Sequence, residues 1–344
     1  MVNYKVIVFL IVVVVSLFLI FYYSRNGDNG DDSEIEILIE NLDTPWGLDF
    51  LPDGRMIFTE RGGKVSIFDD GVKVVGNIDV SEVSESGLLG IVIDPEFSKN
   101  KFVYVYYTHD NGNRVSRFVL NEKLENEFIL LDDIPNARFH DGGRIKFGPD
   151  KKLYITTGDA TVPSSAQDIN SLAGKILRME KDGSAAEDNP FGNYVYSYGH
   201  RNPQGIAWHA VTNKLYASEH GPTRNDEINL IIKGGNYGWP EECSQQSENT
   251  KKPIRCYTEF TLAPSGIAFY NNALYVAGLR GNQLRKIELD KDSEKILNEE
   301  EVFNYLGRIR DVVEHEGYLY IATNNRDGRG VPREGDDKII KLKI

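Results

Sequence analysis

Short segments that are wholly apolar, or in which apolar and polar residues alternate, recur along the chain after residue 34. One arrangement occurs six times: an apolar strand, a turn, a second strand with an aromatic residue, a polar loop and a third alternating strand. Alternation by twos predicts strands, whereas a helical solenoid needs apolar residues every three or four positions. The aromatic positions, which stand 45 to 62 residues apart, are Phe58, Tyr104, Tyr154, Tyr216, Tyr275 and Tyr320. This period is typical of propeller blades, so we predict an all-β fold, a six-bladed β-propeller.

The turns and the leading strand agree with this prediction. The segments "PDGR", "GPDKK" and "YNNA" place Pro, Asp, Asn and Gly where hairpins would reverse. The segment "EIEILIE", residues 34–40, alternates strictly and is predicted to form the outer strand of the last blade, which would close the ring. Residues 34–344 are therefore predicted to be one propeller domain.

A separate hydrophobic segment precedes the repeats. Residues 6–23, "VIVFLIVVVVSLFLIFYY", carry no charge and are long enough to span a bilayer as one helix. A cleaved signal peptide is the alternative, but no small-residue cleavage site follows. We therefore predict a transmembrane anchor over residues 1–24 and an acidic linker over 25–33. The distribution of charged residues around the segment favours a propeller outside the cytoplasm.

Charge and cysteine content narrow the function. The formal net charge of −13 argues against a nucleic-acid partner and favours a small neutral substrate over an anionic one. Cys243 and Cys256 are the two cysteines, too few for a closed zinc site. In an external compartment a disulfide between them is favoured, and two free thiols are the alternative.

The unusual polar residues fall at two positions of the repeat. In a propeller, the loops that enter the first strand and leave the second meet at one end of the central channel. The residues before first strands are Trp46, Glu85, His140, Arg201, Asn202, Arg308 and Arg310. Those after second strands are Asp159, "SEHGP" at 218–222 and "GLRG" at 278–281. The sequence therefore predicts one polar site that is built from at least five blades.

One pair within this set fits general-base chemistry. His140 alone could cap a turn, and Asp159 alone could be an ordinary turn residue. Asp159, however, leaves the same blade that His140 enters, which suits a carboxylate that orients a histidine base.

Four arginines also converge on this end of the channel in an acidic protein. Guanidinium groups bind carboxylates bidentately, so a bound polycarboxylate would offset the repulsion among them. The alternative is that each arginine pairs with a nearby acid such as Asp311. The four are Arg201, Arg280, Arg308 and Arg310.

The segment "SEHGPTRNDEINL" supplies oxygen ligands of the kind that calcium prefers. It combines a Gly-Pro pair, whose carbonyls could be free, with Asp226 and Glu227. Surface loops commonly have the same composition, so this segment alone is a weak signal.

The ordered set "GLLGIVIDPEF", "SYGHRNPQGIAW", "SEHGP", "DEINLIIKGGNYGWP", "APSG" and "RIRDV" resembles the soluble pyrroloquinoline-quinone-dependent glucose and aldose sugar dehydrogenases. These enzymes are six-bladed propellers, and the resemblance covers nearly everything after the linker. It implies that the chain oxidises aldoses to lactones with pyrroloquinoline quinone (PQQ) and Ca²⁺.

The resemblance also implies residue roles. His140 matches the base that takes the proton of the anomeric hydroxyl, Asp159 matches its orienting carboxylate, and Arg201 matches the group that polarises the quinone. The cofactor contacts by position are Glu85, Asn202, Thr261, Arg280, Arg308 and Arg310. Calcium would bind the carbonyls of Gly221 and Pro222, and Glu227 and Tyr237 match a further calcium site of some members.

Three positions depart from the family pattern. Arg280 stands where Lys is frequent, Glu85 stands where Gln is familiar, and Glu259 stands where the resemblance implies an aromatic cover for the cofactor. These departures bear on cofactor affinity more than on the fold.

Two other function classes are compatible with the scaffold. Relatives such as hedgehog-interacting protein are non-catalytic binding propellers, but the trio His140, Asp159 and Arg201 favours an enzyme. A calcium-dependent hydrolase or lactonase would need a cage of carboxylates and Asn, which the axis loops lack. The sequence identifies neither the sugar nor the electron acceptor, which could be a membrane quinone or a soluble carrier.

Overall fold

A computed structural model describes residues 34–110 and 112–343. In that part of the chain, 24 strands form six four-stranded antiparallel sheets. Helix is confined to α1, Phe97–Asn100, and a 3-10 turn at Pro163–Gln167. The innermost strands of the sheets contact each other in cyclic order, so the sheets close into a ring. The predicted six-bladed β-propeller is confirmed.

Each blade contains four strands, numbered here along the chain. Blade 1 contains β2 Pro45–Phe50, β3 Met56–Glu60, β4 Lys64–Phe68 and β5 Val72–Asn77. Blade 2 contains β6 Leu88–Ile93, β7 Phe102–His109, β8 Gly112–Leu120 and β9 Leu124–Ile134. Blade 3 contains β10 Ile145–Phe147, β11 Leu153–Thr157, β12 Lys175–Met179 and β13 Val195–Tyr198. Blades 4 to 6 are β14 Pro203–Trp208, β15 Leu215–Glu219, β16 Asp226–Ile231, β17 Arg255–Tyr257; β18 Pro264–Tyr270, β19 Ala273–Gly278, β20 Gln283–Leu289, β21 Ile296–Phe303; and β22 Ile309–His315, β23 Tyr318–Thr323, β24 Ile339–Lys343 with β1 Glu34–Ile39.

The N-terminal strand closes the ring. Strand β1 is the outer strand of blade 6 and pairs with β24, the last strand of the chain. This confirms the prediction made for residues 34–40 and leaves blade 6 with its full complement of four strands. The hydrogen bonds between β1 and β24 cover the outer edge of β24 and join the two ends of the propeller.

The predicted membrane anchor, residues 1–24, and the linker, residues 25–33, lie outside the described residues. Over 34–110 and 112–343, no helix combines the length and the apolar character that a bilayer span requires. The anchor, the linker and the outward orientation stay predictions.

The repeated aromatic residues join neighbouring blades. All six lie on second strands and are buried. Tyr104 of blade 2 packs edge-on against Phe147 of blade 3 at 5.1 Å between ring centroids, and Tyr154 of blade 3 packs against Trp208 of blade 4 at 5.0 Å. Such edge-to-face pairs suit the negative face and positive edge of aromatic rings. The sequence period therefore marks the contacts between blades.

The innermost strands carry a recurrent irregularity. Among the described residues, five of the six have a register shift near the end that faces the channel mouth, and β10 is the exception. A bulge re-aims the side chains beside it. Trp46 and Arg310, expected in entry loops, lie instead within β2 and β22, because these strands begin one residue earlier.

Cys243 and Cys256 form a disulfide, with 6.0 Å between their Cα atoms. The predicted pairing is confirmed, and the alternative of two free thiols is excluded. The bond pins the long segment between β16 and β17.

We expect the double variant C243S/C256S to be less stable than the native chain by up to about 3 kcal/mol, since the lost bond closes a 13-residue separation. Urea unfolding of the two proteins without reductant measures the difference. With reductant the two midpoints should coincide. A difference that persists under reduction would assign the loss to the serines themselves.

Candidate active site

A cavity of about 650 Å³ opens at the end of the channel where the entry loops meet. Eight of the predicted site residues line it: Glu85, His140, Arg201, Gly221, Pro222, Thr261, Arg280 and Arg308. They come from loops before first strands and after second strands of different blades. The predicted assembly of one polar site from dispersed loops is thus present in the structure.

His140 and Asp159 form a hydrogen-bonded pair in the wall of the cavity. The His140 Nδ1 lies 2.7 Å from the Asp159 Oδ1, and the Asp159 side chain is fully buried. A carboxylate accepts, so Nδ1 carries the proton, and in a neutral imidazole this leaves Nε2 with a free lone pair. Within the described part of the chain Nε2 has no hydrogen-bond partner. This arrangement is compatible with the predicted role of His140 as a general base, which stays a prediction.

The backbone of His140 is held in the left-handed region, at φ 66°. This conformation is unfavourable for a residue with a Cβ, and the surrounding structure must therefore hold it. The Glu85 Oε2 accepts the His140 N–H at 3.0 Å. Gly158 leaves room for the His140 carbonyl, with which any Cβ at position 158 would collide. Glu85 and Gly158 thus fix the direction from which His140 enters the cavity.

Trp239 links the histidine–aspartate pair to Arg201. Its indole Nε1 donates to the Asp159 Oδ2 at 2.8 Å, and the Arg201 guanidinium lies 5.3 Å from the centre of its ring. The Thr161 N–H donates to the Asp159 Oδ1 at 2.8 Å. Both carboxylate oxygens of Asp159 are therefore satisfied, and its orientation is fixed.

Arg201 faces the cavity with most of its side chain buried. Its Nη1 donates to the His220 carbonyl at 3.1 Å, whereas its Nε is buried without a partner in the described structure. Burial lowers the pKa of Arg201 from its ordinary value, and the charges of Asp159 and Glu219 oppose that shift. A cation with unsatisfied N–H groups at a cavity wall suits an oxygen anion.

The other predicted arginines differ in their pairing. Arg308 donates to the Asp327 Oδ2 from Nε at 3.1 Å and from Nη2 at 2.6 Å, whereas Arg280 is exposed and has no side-chain partner among the described residues. Arg310 lies deeper, bonded to neutral groups, and burial lowers its pKa to about 9. Asp311 pairs instead with Arg144, at 2.7 Å. The alternative that acids pair with these arginines thus holds for Arg308 alone.

Three predicted residues support the cavity from behind its wall rather than lining it. Asp159 is one of them. Asn202 is fully buried: its Oδ1 accepts from Gly142 N–H at 3.0 Å, and its Nδ2 donates to the Glu85 Oε2 at 3.3 Å. Arg310 is the third. A direct cofactor contact by Asn202 or Arg310 is a prediction that their burial does not favour.

The predicted calcium ligands fall into two groups. Gly221 and Pro222 line the cavity, and within the described residues neither carbonyl accepts a hydrogen bond. Asp226 braces this loop by accepting the Gly221 N–H at 3.0 Å, and burial raises its pKa to about 6. Backbone carbonyls without a hydrogen bond are oxygen donors of the kind that calcium accepts, so this loop is compatible with the predicted calcium site, which stays a prediction.

Glu227 and Tyr237 lie apart from the cavity lining. The Glu227 Oε2 accepts from Asn229 at 2.8 Å, and burial, reinforced by the charge of Glu219, raises its pKa well above the ordinary value. The Tyr237 hydroxyl donates to the Leu230 carbonyl at 2.7 Å. No cluster of three His, Cys, Asp or Glu side chains suitable for a metal occurs in the described ranges. A further calcium at Glu227 and Tyr237 stays a prediction.

The departures from the family pattern have different surroundings. Glu85 lines the cavity and pairs with Arg329 at 2.9 Å. Glu259 is exposed, pairs with Arg255 at 3.4 Å and does not line the cavity. Glu259 therefore neither covers the cavity nor places a charge in it.

The sequence did not single out His220, Trp239 or Arg329. His220 stands in the quoted "SEHGP" and Arg329 follows the second strand of blade 6, so the repeat phase could have identified both. Burial lowers the pKa of His220 to about 3, which leaves it neutral at pH 7. Trp239 follows a third strand, where the phase argument predicts no site residue.

Comparison with known proteins agrees with the fold and identifies the family. The family model described as glucose/sorbosone dehydrogenase matches residues 42–333. The PQQ-bound aldose sugar dehydrogenase from Streptomyces coelicolor superposes with a TM-score of 0.86 at 37% identity, covering 90% of this chain and 98% of that chain. Aldose sugar dehydrogenase of Escherichia coli is 31% identical over 86% of this chain and 91% of its own. Human hedgehog-interacting protein is more distant, 26% identical over 49% of this chain and 28% of its own length.

Proposed function

Since the chain belongs to the glucose/sorbosone dehydrogenase family and is a PQQ-dependent oxidoreductase of sugars, we propose that it oxidises aldoses at the anomeric carbon to lactones. The observation that carries the proposal is the His140 Nδ1–Asp159 contact of 2.7 Å in the wall of a cavity that Arg201 also lines. A base, its orienting acid and an oxygen-anion partner are the groups that this reaction needs.

The charge of the cavity fits pyrroloquinoline quinone, a planar tricarboxylate. Arg201, Arg280 and Arg308 line the cavity, and Arg280 has no side-chain partner in the part of the chain that the structure describes. A volume of about 650 Å³ falls in the usual range for cofactor and ligand sites. These residues would hold the carboxylates of the quinone.

The free carbonyls of Gly221 and Pro222 would hold Ca²⁺ next to the same cavity. Calcium prefers six to eight oxygen ligands, so two carbonyls would need further oxygens from the quinone and from water. Ca²⁺ held by Gly221 and Pro222 would supply Lewis-acid chemistry at the cavity.

His140, oriented by Asp159, would take up the proton of the sugar, and Arg201 would stabilise the developing negative charge. Asp159 keeps the His140 Nδ1 protonated, so Nε2 takes the proton of the anomeric hydroxyl. Arg201 donates hydrogen bonds to the oxygen on which negative charge develops. When bound, the quinone accepts the C1 hydrogen as hydride. The sugar thereby loses two electrons and two hydrogens and becomes the lactone.

The other function classes have less support. A binding propeller has no need of an oriented histidine, a buried aspartate and an arginine at one cavity. A metal-dependent hydrolase would need a cage of side-chain ligands, and the described residues contain no cluster of three acidic, histidine or cysteine side chains of that kind. The outward-facing, membrane-anchored arrangement and the electron acceptor, a membrane quinone or a soluble carrier, remain parts of the proposal that need their own tests.

Reconstitution tests the proposed reaction. The purified full-length chain is incubated with PQQ and Ca²⁺, and dye reduction is followed on a panel of aldoses. We expect activity that needs both additions, and we expect the products to hydrolyse to aldonic acids, which identify C1 as the oxidised carbon. Oxidation at another carbon, or activity without PQQ, would refute the proposal.

Trp239 provides a test of how Asp159 is positioned. We expect W239F to lower turnover about tenfold, because the variant keeps the ring beneath Arg201 but leaves the Asp159 Oδ2 without its donor. The matched control is W208F, since Trp208 contacts Tyr154 and does not line the cavity. Equal turnover of W239F and W208F in steady-state assays would show that the indole N–H has no such role.

A further inference from the structure

Glu85 presents a charge problem for a site that binds a polyanion. Its carboxylate lines the cavity, accepts the His140 N–H at 3.0 Å and accepts from Asn202 at 3.3 Å. Burial acts to raise the pKa of Glu85, whereas the His140 N–H, the charge of Arg329 and, in acid only, a protonated His220 lower it below its ordinary value. Glu85 is therefore ionised at neutral pH, beside the space that the quinone carboxylates would enter.

Arg329 reaches this carboxylate from the opposite end of the sequence. It lies in the loop between β23 and β24, 244 positions after Glu85, and its Nη1 donates to the Glu85 Oε1 at 2.9 Å. Its Nη2 donates to the Ser84 hydroxyl at 3.1 Å, and its guanidinium lies 5.4 Å from the centre of the Phe139 ring. The two oxygens of Glu85 thus have separate partners: Oε2 accepts from His140 and Asn202, and Oε1 accepts from Arg329.

The contact of Glu85 with His140 and its contact with Arg329 depend on each other, because both use the charge of the same carboxylate. An ionised Glu85 is a strong acceptor for the His140 N–H, which helps to hold the left-handed backbone at that residue. The same charge would repel a polycarboxylate in the cavity unless a cation offset it. Arg329 supplies that cation without displacing the contact with His140.

We propose that Arg329 is a positioning residue of the cofactor site that acts through Glu85: it neutralises the carboxylate that anchors His140, so that a polycarboxylate can bind beside an anchored base. The inference rests on the proposed function for the identity of that polycarboxylate. Arg329 itself lines the cavity, and its effect is assigned to its charge on Glu85 rather than to a direct contact with the cofactor.

A double-mutant cycle on quinone binding tests this role. The dissociation constant of PQQ is measured by fluorescence titration, with Ca²⁺ present, for the native chain, R329Q, E85Q and E85Q/R329Q. Gln at position 85 keeps an acceptor oxygen for His140 and removes the charge. We expect R329Q to weaken binding about tenfold in the native background and to change it less than about threefold in the E85Q background.

The control is R333Q, in the same loop. Arg333 is exposed, donates to the Tyr305 carbonyl at 2.9 Å and does not line the cavity, so its loss should not change binding. Equal weakening by R329Q in both backgrounds would mean that Arg329 contacts the cofactor directly, and would overturn the inference. Equal weakening by R329Q and R333Q would reduce the effect to net charge and would overturn it as well.

The same cycle on the cofactor-free protein separates this inference from the proposed function. Urea midpoints are measured for the four proteins without PQQ. We expect R329Q to lower the midpoint in the native background and not in the E85Q background, because only an ionised Glu85 needs the arginine. If the native chain bound no PQQ, the proposed function would fail, and this second cycle would still decide: an additive result would overturn the pairing of Arg329 with Glu85.

Discussion

H140A is expected to lose turnover by about a thousandfold or more while binding PQQ with unchanged affinity. The expectation follows from the position of the side chain: its Nδ1 is held at 2.7 Å by a buried carboxylate, and its ring lines the cavity. General-base catalysis contributes about 10²- to 10⁴-fold to rate, so removing the base should cost a factor in that range. Affinity should persist because Arg201, Arg280 and Arg308 remain.

D159N provides the matched comparison. Three N–H donors face the Asp159 carboxylate: His140 Nδ1 and the Thr161 N–H at Oδ1, and the Trp239 Nε1–H at Oδ2. The NH₂ group of Asn would face one of these donors, and the negative charge that stabilises a protonated imidazole would be lost. We therefore expect a loss of turnover close to that of H140A. Rates under substrate saturation and PQQ titrations separate catalysis from binding. Turnover by H140A within tenfold of the native rate would contradict the assignment of His140 as the base.

R308Q is expected to weaken PQQ binding about a hundredfold. Two effects add in this variant: a cation is lost from the cavity, and Asp327, whose side chain is 2% exposed, is left as an unpaired buried charge. Truncating one member of a buried charge pair costs about 2 to 5 kcal/mol in binding systems. Calcium-saturated titrations of native and variant chains measure the change.

R308Q/D327N separates the two effects. Removing the charge of Asp327 as well should recover part of the affinity, because only the lost cation then remains. R55Q is the control, since Arg55 forms an exposed pair with Asp53 in a turn of blade 1. If R308Q bound PQQ as tightly as R55Q, Arg308 would not belong to the cofactor site.

The local alternation of apolar and polar residues was sufficient to predict the six blades. Alternation by twos depends on neighbouring residues, so strands and their order could be predicted, and Tyr104 and Tyr154 marked the contacts between blades. The phase of the repeat also indicated which loops meet at the cavity. It placed His140 and Arg201 correctly at its wall.

The burial of each side chain and its hydrogen-bond partners could not be predicted from the sequence pattern. The phase argument assigned Arg308 and Arg310 to one loop, but Arg310 lies in β22, beside a register shift, and is buried among neutral partners. Trp239 was not predicted as a site residue, because its loop follows a third strand. Its indole N–H nevertheless reaches Asp159. The contact between Glu85 and Arg329 joins residues 244 positions apart, and only the closed ring brings them together.

The central claim is that an aldose reduces the bound quinone through C1. The direct measurement is anaerobic mixing of the chain, loaded with Ca²⁺ and PQQ, with an aldose, while the quinone absorbance is followed in a single turnover. We predict rapid reduction that is slower with deuterium at C1 and about a thousandfold slower in H140A. Absence of reduction, or a rate unaffected by both changes, would contradict it.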